Sequence, residues 1–585
     1  MDIEYKKSGC SFLVRFILTF CLVFLVSCGS GSGGDNTPSI APDTPPKFHG
    51  TLTESDLMGD VTPGLTQMQH FEAPSDALAP YTQFSGLLKF SQTQMTTSVR
   101  AEYDGSYSSH FFPEFSIELL SNGDDIFPIQ RNIISTWGSG TSFWDVVVGS
   151  GKIWMESDDS ASWHRASIPI TLVSRKVGQV RNCVAIFLYT VTTVSKSYVQ
   201  CSQETSPIDS YTPGDLRVLV DTSYMPGSIS NEAQEIADYQ TEIAGRLPVR
   251  PWSDIVSSDP DILDTFNRDL TEPHYQSLGA LVIDGEIYRQ DPLTRHGSYP
   301  YPDDMRHGVF SVTKSLSAAL SLLFLAERYG DSIFDALISD YVPGLSGHPG
   351  WQGVTFEQTL NMVTGVTGGD EGALIVPFIE AVSAEDGIAA IANLGDAPSS
   401  PGELFNYAST NTFVLSYGMQ QYVEAQEGTG TFYWDLIVEN VLRPIEVYNF
   451  PIQKTLELGG AEGIPIMGWG AFPTADDTAK IASLFKNEGY HNGEQLLHAE
   501  RTREATNRSL WPGYEVGDGR SYQHSFWLHT FNLSGCSFKV PFMLGHGANY
   551  VGMTPGGIII IRFMDYNEYD PTPLVRAAES VVESC

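Results

Sequence analysis

Ser311 and Lys314 stand three residues apart in Val309-Phe310-Ser311-Val312-Thr313-Lys314-Ser315, at the head of a run that reads as a buried helix. Leu316, Ala319, Leu320, Leu323 and Ala326 make one apolar stripe, and Gly330 after Tyr329 supplies the stop. The i, i+3 spacing puts hydroxyl and amine on one helix face, with the serine at the positive end of the dipole. That pairing suits nucleophilic catalysis, in which the amine takes the serine proton as the alkoxide attacks. To act so, the lysine must first lose its own proton. Bringing its pKa from about 10.4 to near 7 takes roughly 4–5 kcal/mol of desolvation and neighbour effects. The spacing alone is a weak signal, because Ser483-Leu484-Phe485-Lys486 repeats it. That second copy is expected inside a helix starting near Thr474-Ala475-Asp476-Asp477, where the serine meets no free helix N-terminus.

Two further segments strengthen Ser311. Leu404-Phe405-Asn406-Tyr407-Ala408-Ser409-Thr410-Asn411-Thr412 follows, with Tyr407 96 residues on, and Leu544-Gly545-His546-Gly547-Ala548-Asn549 follows, with His546 another 139 residues on. Ser-x-x-Lys, then Tyr-x-Ser, then a small-residue turn of the Lys-Thr-Gly type, in this order, resembles the serine β-lactamase and penicillin-binding-protein superfamily. The spelling is most like its class C-like branch of esterases, D-aminopeptidase-like enzymes and 6-aminohexanoate-oligomer hydrolases. The resemblance covers roughly residues 235–585. It implies that Ser311 is the acylated nucleophile, Lys314 its general base and Tyr407 the relay that passes the proton to the leaving group. It makes Ser409 an orienting group for Lys314 or substrate, and His546 and Gly547 substrate-binding positions. The oxyanion hole is then the Ser311 N–H with one from the third motif, Asn549, or Ala548 if the register is off by one. No cofactor and no metal is implied.

Two departures bear on substrate. Serine stands where Tyr-x-Asn is usual, and His546 stands where relatives that recognise penicillin carry a lysine for the substrate carboxylate. A histidine mostly neutral at pH 7 holds a carboxylate less well. An ester or short-amide hydrolase is therefore the first reading, with a β-lactamase or D,D-peptidase second. A catalytically silent binding lipoprotein is the alternative outside the enzymes. There is no Gly-x-Ser-x-Gly elbow, no histidine pair at i+2 to i+4, and no Walker-type glycine loop, so other hydrolase, zinc and nucleotide sites lack support.

These residues need a framework. Gly279-Ala280-Leu281-Val282-Ile283 and Glu286-Ile287-Tyr288 read as strands joined by an Asp284-Gly285 hairpin turn, and Val540–Leu544 and Ile558–Phe563 read as two more near the chain's end. Ile236, Tyr239 and Ile243 mark a helix within 232–245, and 573–583 a closing helix. Residues 229–585 thus read as one α+β domain, an antiparallel sheet built from both its ends, with flanking helices and a helical lobe. Residues 48–228 read as an all-β domain, sandwich-like, with strands such as Ile168–Val173, Val184–Thr193 and Leu216–Val220 and no catalytic constellation.

The first 27 residues read as a lipoprotein signal. Lys6, Lys7 and Arg15 precede an apolar run of eleven, too short to span a bilayer, which takes about 20. Leu25-Val26-Ser27-Cys28-Gly29 resembles a lipobox, in which Cys28 is lipidated, and residues 28–47 are a tether. A bacterial envelope location follows, the outer membrane preferred, with the lipid as the sole membrane contact. Four cysteines remain for an oxidising compartment. Cys183 with Cys201 is the local pairing across two strands, which leaves Cys536 with Cys585.

The 585 residues carry a net charge of −37, with 70 acidic and 33 basic side chains. This disfavours nucleic acid and anionic surfaces as partners. Residues 229–585 alone hold 47 acidic and 19 basic side chains, and between Arg328 and Arg443 no lysine or arginine occurs beside 15 acids. Neutral or cationic small-molecule substrates are expected.

Overall fold

The computed structural model describes residues 52–585 except 157–158, 160–161, 206–213, 370–374, 396, 508–510, 518, 534 and 565–569. The expected leader, Cys28 and tether lie outside the described residues. Among those described, no helix is long and apolar enough to cross a membrane.

The N-terminal half differs from a two-sheet sandwich. Its main strands form one eleven-stranded antiparallel sheet. The strand Leu216–Val220 pairs with Ser197–Glu204, and after Asp221 the strand Thr222–Pro226 pairs with Ser85–Phe90 at the sheet's other end. One nearly continuous strand thereby joins both edges and closes the sheet into a barrel, leaving few free edge groups. Side chains of Val180–Tyr189 alternate between two cores. Cys183, Ala185, Phe187 and Tyr189 point inside with Trp144, Val199 and Val218. Val184, Ile186 and Leu188 point outward, onto Leu57, Met68, Phe71, Tyr299 and Met305. Burial on both faces explains the unbroken apolar run in the sequence. Strand pattern alone does not say whether such strands stack in two sheets or close in one. Cys183 and Cys201 are bonded across a paired position of this barrel, and Cys536 is bonded to Cys585.

The C-terminal half is the expected α+β arrangement, its sheet antiparallel except that Val249–Pro251 pairs parallel with Glu286–Arg289. Its nine-stranded sheet runs Val249–Pro251, Glu286–Arg289, Gln276–Ile283, Ile559–Met564, Asn549–Met553, Cys536–Gly545, Phe526–Leu533, Arg520–Gln523, Tyr514–Gly517. Strands from the start and end of this half meet where Gln276–Ile283 pairs with Ile559–Met564. Asp284 and Gly285 have φ of +49° and +84°, the left-handed pair that a tight two-residue hairpin demands. One sheet face packs Leu281 and Ile560 against Leu574 and Val575 of the helix Thr572–Val581. The other packs Ala280, Val282 and Ile561 against Leu316, Leu320 and Ile481 of the helices that carry the site. Ser409–Glu427 is the long helix of the helical lobe. The control segment behaves as read: Thr474 caps the helix Ala475–Lys486, and Ser483 lies in its body.

Candidate active site

Ser311 lies on a strained turn. Phe310 before it has φ of +46°, a conformation that an aromatic residue adopts only when its surroundings hold it there. The helix then opens with a wide turn over Lys314–Ala319 before the regular stretch Leu320–Tyr329. Such wide turns recur at functional sites, and the apolar stripe gave no sign of this one.

Lys314 is 1% exposed, and its Nζ touches three neutral oxygens: Ser311 Oγ at 2.8 Å, Ser409 Oγ at 2.9 Å and Gly468 O at 2.9 Å. A carbonyl can only accept, so Gly468 O takes one N–H. With Ser409 Oγ taking another, an uncharged amine keeps its lone pair for the Ser311 hydroxyl. The ring of Tyr407 faces the same nitrogen, with its centroid 4.8 Å away. Ser409 is buried at the first residue of its helix, directly after the extended Ala408. The four residues expected to meet, Ser311, Lys314, Tyr407 and Ser409, do meet.

Tyr407 belongs to an aromatic wall. Its ring centroid lies 5.5 Å from that of Trp527 and 6.1 Å from that of Tyr522, and Phe405 lies 5.2 Å from Tyr522. A cation reaches this wall from outside the acidic stretch: the Arg520 guanidinium sits over Trp527 at 5.7 Å.

The third motif occupies the turn between the strands Cys536–Gly545 and Asn549–Met553. Gly545 approaches the nucleophile most tightly. A Cβ there would lie 2.1 Å from Val309 O and 3.2 Å from Ser311 N. His546 follows, its ring edge-on to Phe310 at 5.2 Å, and burial lowers its pKa, keeping it neutral at pH 7. Among the described residues, no protein acceptor engages the main-chain N–H of Ser311 or of His546. Gly547 and Ala548 turn the chain at φ of +81° and +62°. The Ala548 side chain joins the core beneath the C-terminal helix, on the sheet face away from Ser311. Asn549 is fully buried, and its side chain ties the turn together by donating to His546 O at 2.6 Å and accepting from Met564 N at 2.9 Å.

Among the described residues, Glu357, Glu504 and His524 are the side chains grouped closely enough to hold a metal. Arg501 already supplies the positive charge there, with Nη1 at 3.1 Å from both carboxylates.

Residues 279–564 match the family model described as Beta-lactamase. They form a beta-lactamase-family domain. Its fold is the β-lactamase/transpeptidase-like one. No curated protein matches the chain significantly. Among solved structures, a family VIII carboxylesterase is 18% identical, with 56% of this chain and 98% of that one covered and a TM-score of 0.43. A penicillin-binding-protein homolog from Caulobacter crescentus is 18% identical, covering 56% and 100%, at 0.41. A D-stereospecific amidohydrolase from a Streptomyces species is 16% identical, covering 54% and 98%, at 0.40.

Within the beta-lactamase-family domain, sequence reasoning missed three groups. Gly468 O, in Met467-Gly468-Trp469-Gly470, carried no motif. The Trp527 and Tyr522 wall was readable only as strand aromatics. Gly545 was visible as a glycine, but which residue of the turn lies against Ser311 depends on how the strand docks.

Proposed function

We propose that this chain is an envelope-anchored serine hydrolase that cleaves an ester or amide bond through an acyl-enzyme on Ser311. The observation that carries the reading is the Lys314 nitrogen, buried among three neutral oxygens and 2.8 Å from Ser311 Oγ. In acylation, Ser311 Oγ bonds to the substrate carbonyl carbon as its proton passes to Lys314 Nζ. Negative charge gathers on the carbonyl oxygen, and the N–H groups of Ser311 and His546 are the donors we assign to it. The close packing of Gly545 against Ser311 N supports the His546 donor; in this reading Asn549 and Ala548 serve the turn's shape. The intermediate collapses, the proton reaches the leaving alcohol or amine through Tyr407, and that group departs. Water attacks the acyl carbon, gives its proton to the same base, and releases the acid with Ser311 restored.

The substrate we propose is uncharged or cationic at the acyl end. His546 is neutral, the stretch between Arg328 and Arg443 offers no cation, and Arg520, the cation at the aromatic wall, has its guanidinium over the Trp527 ring. Lipidation of Cys28 belongs to the same proposal and places the reaction in the envelope. The test is kcat/KM across p-nitrophenyl esters, linear amides, nitrocefin and D-Ala-D-Ala peptides. A neutral ester is expected to exceed its anionic isostere about tenfold at low salt, a gap that narrows as salt screens the acidic surface. A preference for the anionic isostere, or for nitrocefin, would contradict the substrate assignment.

A further inference from the structure

The barrel hairpin between the strands His164–Ser174 and Val180–Tyr189 turns into the hydrolase domain. Trp469 Nε1 donates to Lys176 O at 3.0 Å, and the Gln453 amide donates to Ser174 O. Gly308 N donates to Thr205 Oγ1, just beyond the neighbouring barrel strand, at 3.2 Å, and Asn182 Nδ2 donates to Arg306 O at 3.0 Å. The fit leaves no room for a methyl group. A Cβ on Gly178 would lie 2.5 Å from Trp469 O and 3.4 Å from Phe310 Cδ1, and one on Gly308 would lie 2.3 Å from Gly178 O.

The two segments held in this way set the catalytic geometry. Gly308 to Phe310 leads into Ser311 through the strained φ of Phe310. Trp469 follows Gly468, whose carbonyl holds Lys314 Nζ, and Ala471 N donates to Thr313 Oγ1 at 3.2 Å within the Ser-x-x-Lys turn itself. The hairpin thus lies between the backbone that presents the nucleophile and the backbone that orients its base. Left-handed strain at a residue such as Phe310 persists only where packing over-determines it.

We propose that the barrel is a working part of the active site: its hairpin turn, residues 175–179, and Thr205 are positioning residues that clamp Gly308–Phe310 against Gly468–Trp469 and so hold Ser311 in reach of Lys314. This rests on the serine-hydrolase reading. It gives the β domain a role in turnover, and it implies that the hydrolase half without the barrel keeps the side chains of the site and loses their alignment.

The test is the rate of Ser311 acylation by a fluorophosphonate in the full chain, with KM and kcat for a neutral ester and the pH profile of kcat/KM. Gly178→Ala is expected to slow acylation at least tenfold, with KM within twofold and the acid limb displaced, since misplacing reacting groups by about 1 Å costs up to 10²-fold. Thr205→Val, which removes the acceptor for Gly308 N–H, is expected to do likewise, and Thr205→Ser to stay within threefold of wild type. Wild-type rates and an unmoved pH profile in both Gly178→Ala and Thr205→Val would overturn the clamp. If Gly178→Ala does not fold, the Thr205 pair decides; loss of cooperative melting in both would overturn it as well, showing structural support alone. Absence of a wild-type adduct would instead overturn the hydrolase reading beneath it.

Discussion

Lys314→Ala lowers kcat for a neutral ester about 10³–10⁴-fold, with KM little changed, the loss expected for a general base in direct contact with the nucleophile. The magnitude follows from the contacts. Lys314 Nζ is the nitrogen 2.8 Å from Ser311 Oγ, and no second base touches that hydroxyl among the described residues. Methylamine added to the variant should restore part of the rate, because removing the side chain leaves a buried space beside Ser409 Oγ and Gly468 O that an amine fits. Tyr407→Phe should cost less, since the phenol acts on the leaving group and the ring that packs on Trp527 is kept. Steady-state kinetics of the two variants separates these roles.

Gly545→Ala is the second large effect, expected to lower kcat by 10²–10³-fold in a protein that still folds. A methyl there meets Val309 O at 2.1 Å and Ser311 N at 3.2 Å, and both are backbone. Something must move, and the flexible partners are the nucleophile turn and the strand end that presents the His546 N–H. Either shift takes an N–H away from the position of the developing oxyanion, where one donor is worth roughly 2.7–4 kcal/mol. A kcat for Gly545→Ala within threefold of wild type would show that this strand end does not shape the hole.

Local patterns made much of this readable. Ser311 and Lys314 are linked by helix periodicity, Asp284-Gly285 by turn chemistry, and Cys183 and Cys201 by their flanking strands; each relation spans few residues. Tyr407 and Ser409 were placed by the order of motifs, a relation inherited from the resemblance. What stayed hidden was tertiary. The barrel closes because Thr222–Pro226 returns to Ser85–Phe90, a pairing across more than a hundred residues that no alternation of apolar side chains encodes. Gly468 enters the site through a carbonyl, and main-chain groups have no spelling. Asn549 was placed at the oxyanion hole by counting along a motif, while the hole proposed from the packing of Gly545 against Ser311 N uses the His546 N–H. Gly178 and Gly308 carry no signal in the sequence, and their weight comes from the two halves touching through them.

The central claim is that Ser311 is a nucleophile activated by Lys314. Intact-mass and peptide mass spectrometry after fluorophosphonate treatment tests it most directly. The account predicts a single adduct on the peptide containing Ser311, absent in Ser311→Ala and formed at least 10²-fold more slowly in Lys314→Ala. Labelling at another serine, Ser483 or Ser409 included, or equal labelling of wild type and Lys314→Ala, would contradict it.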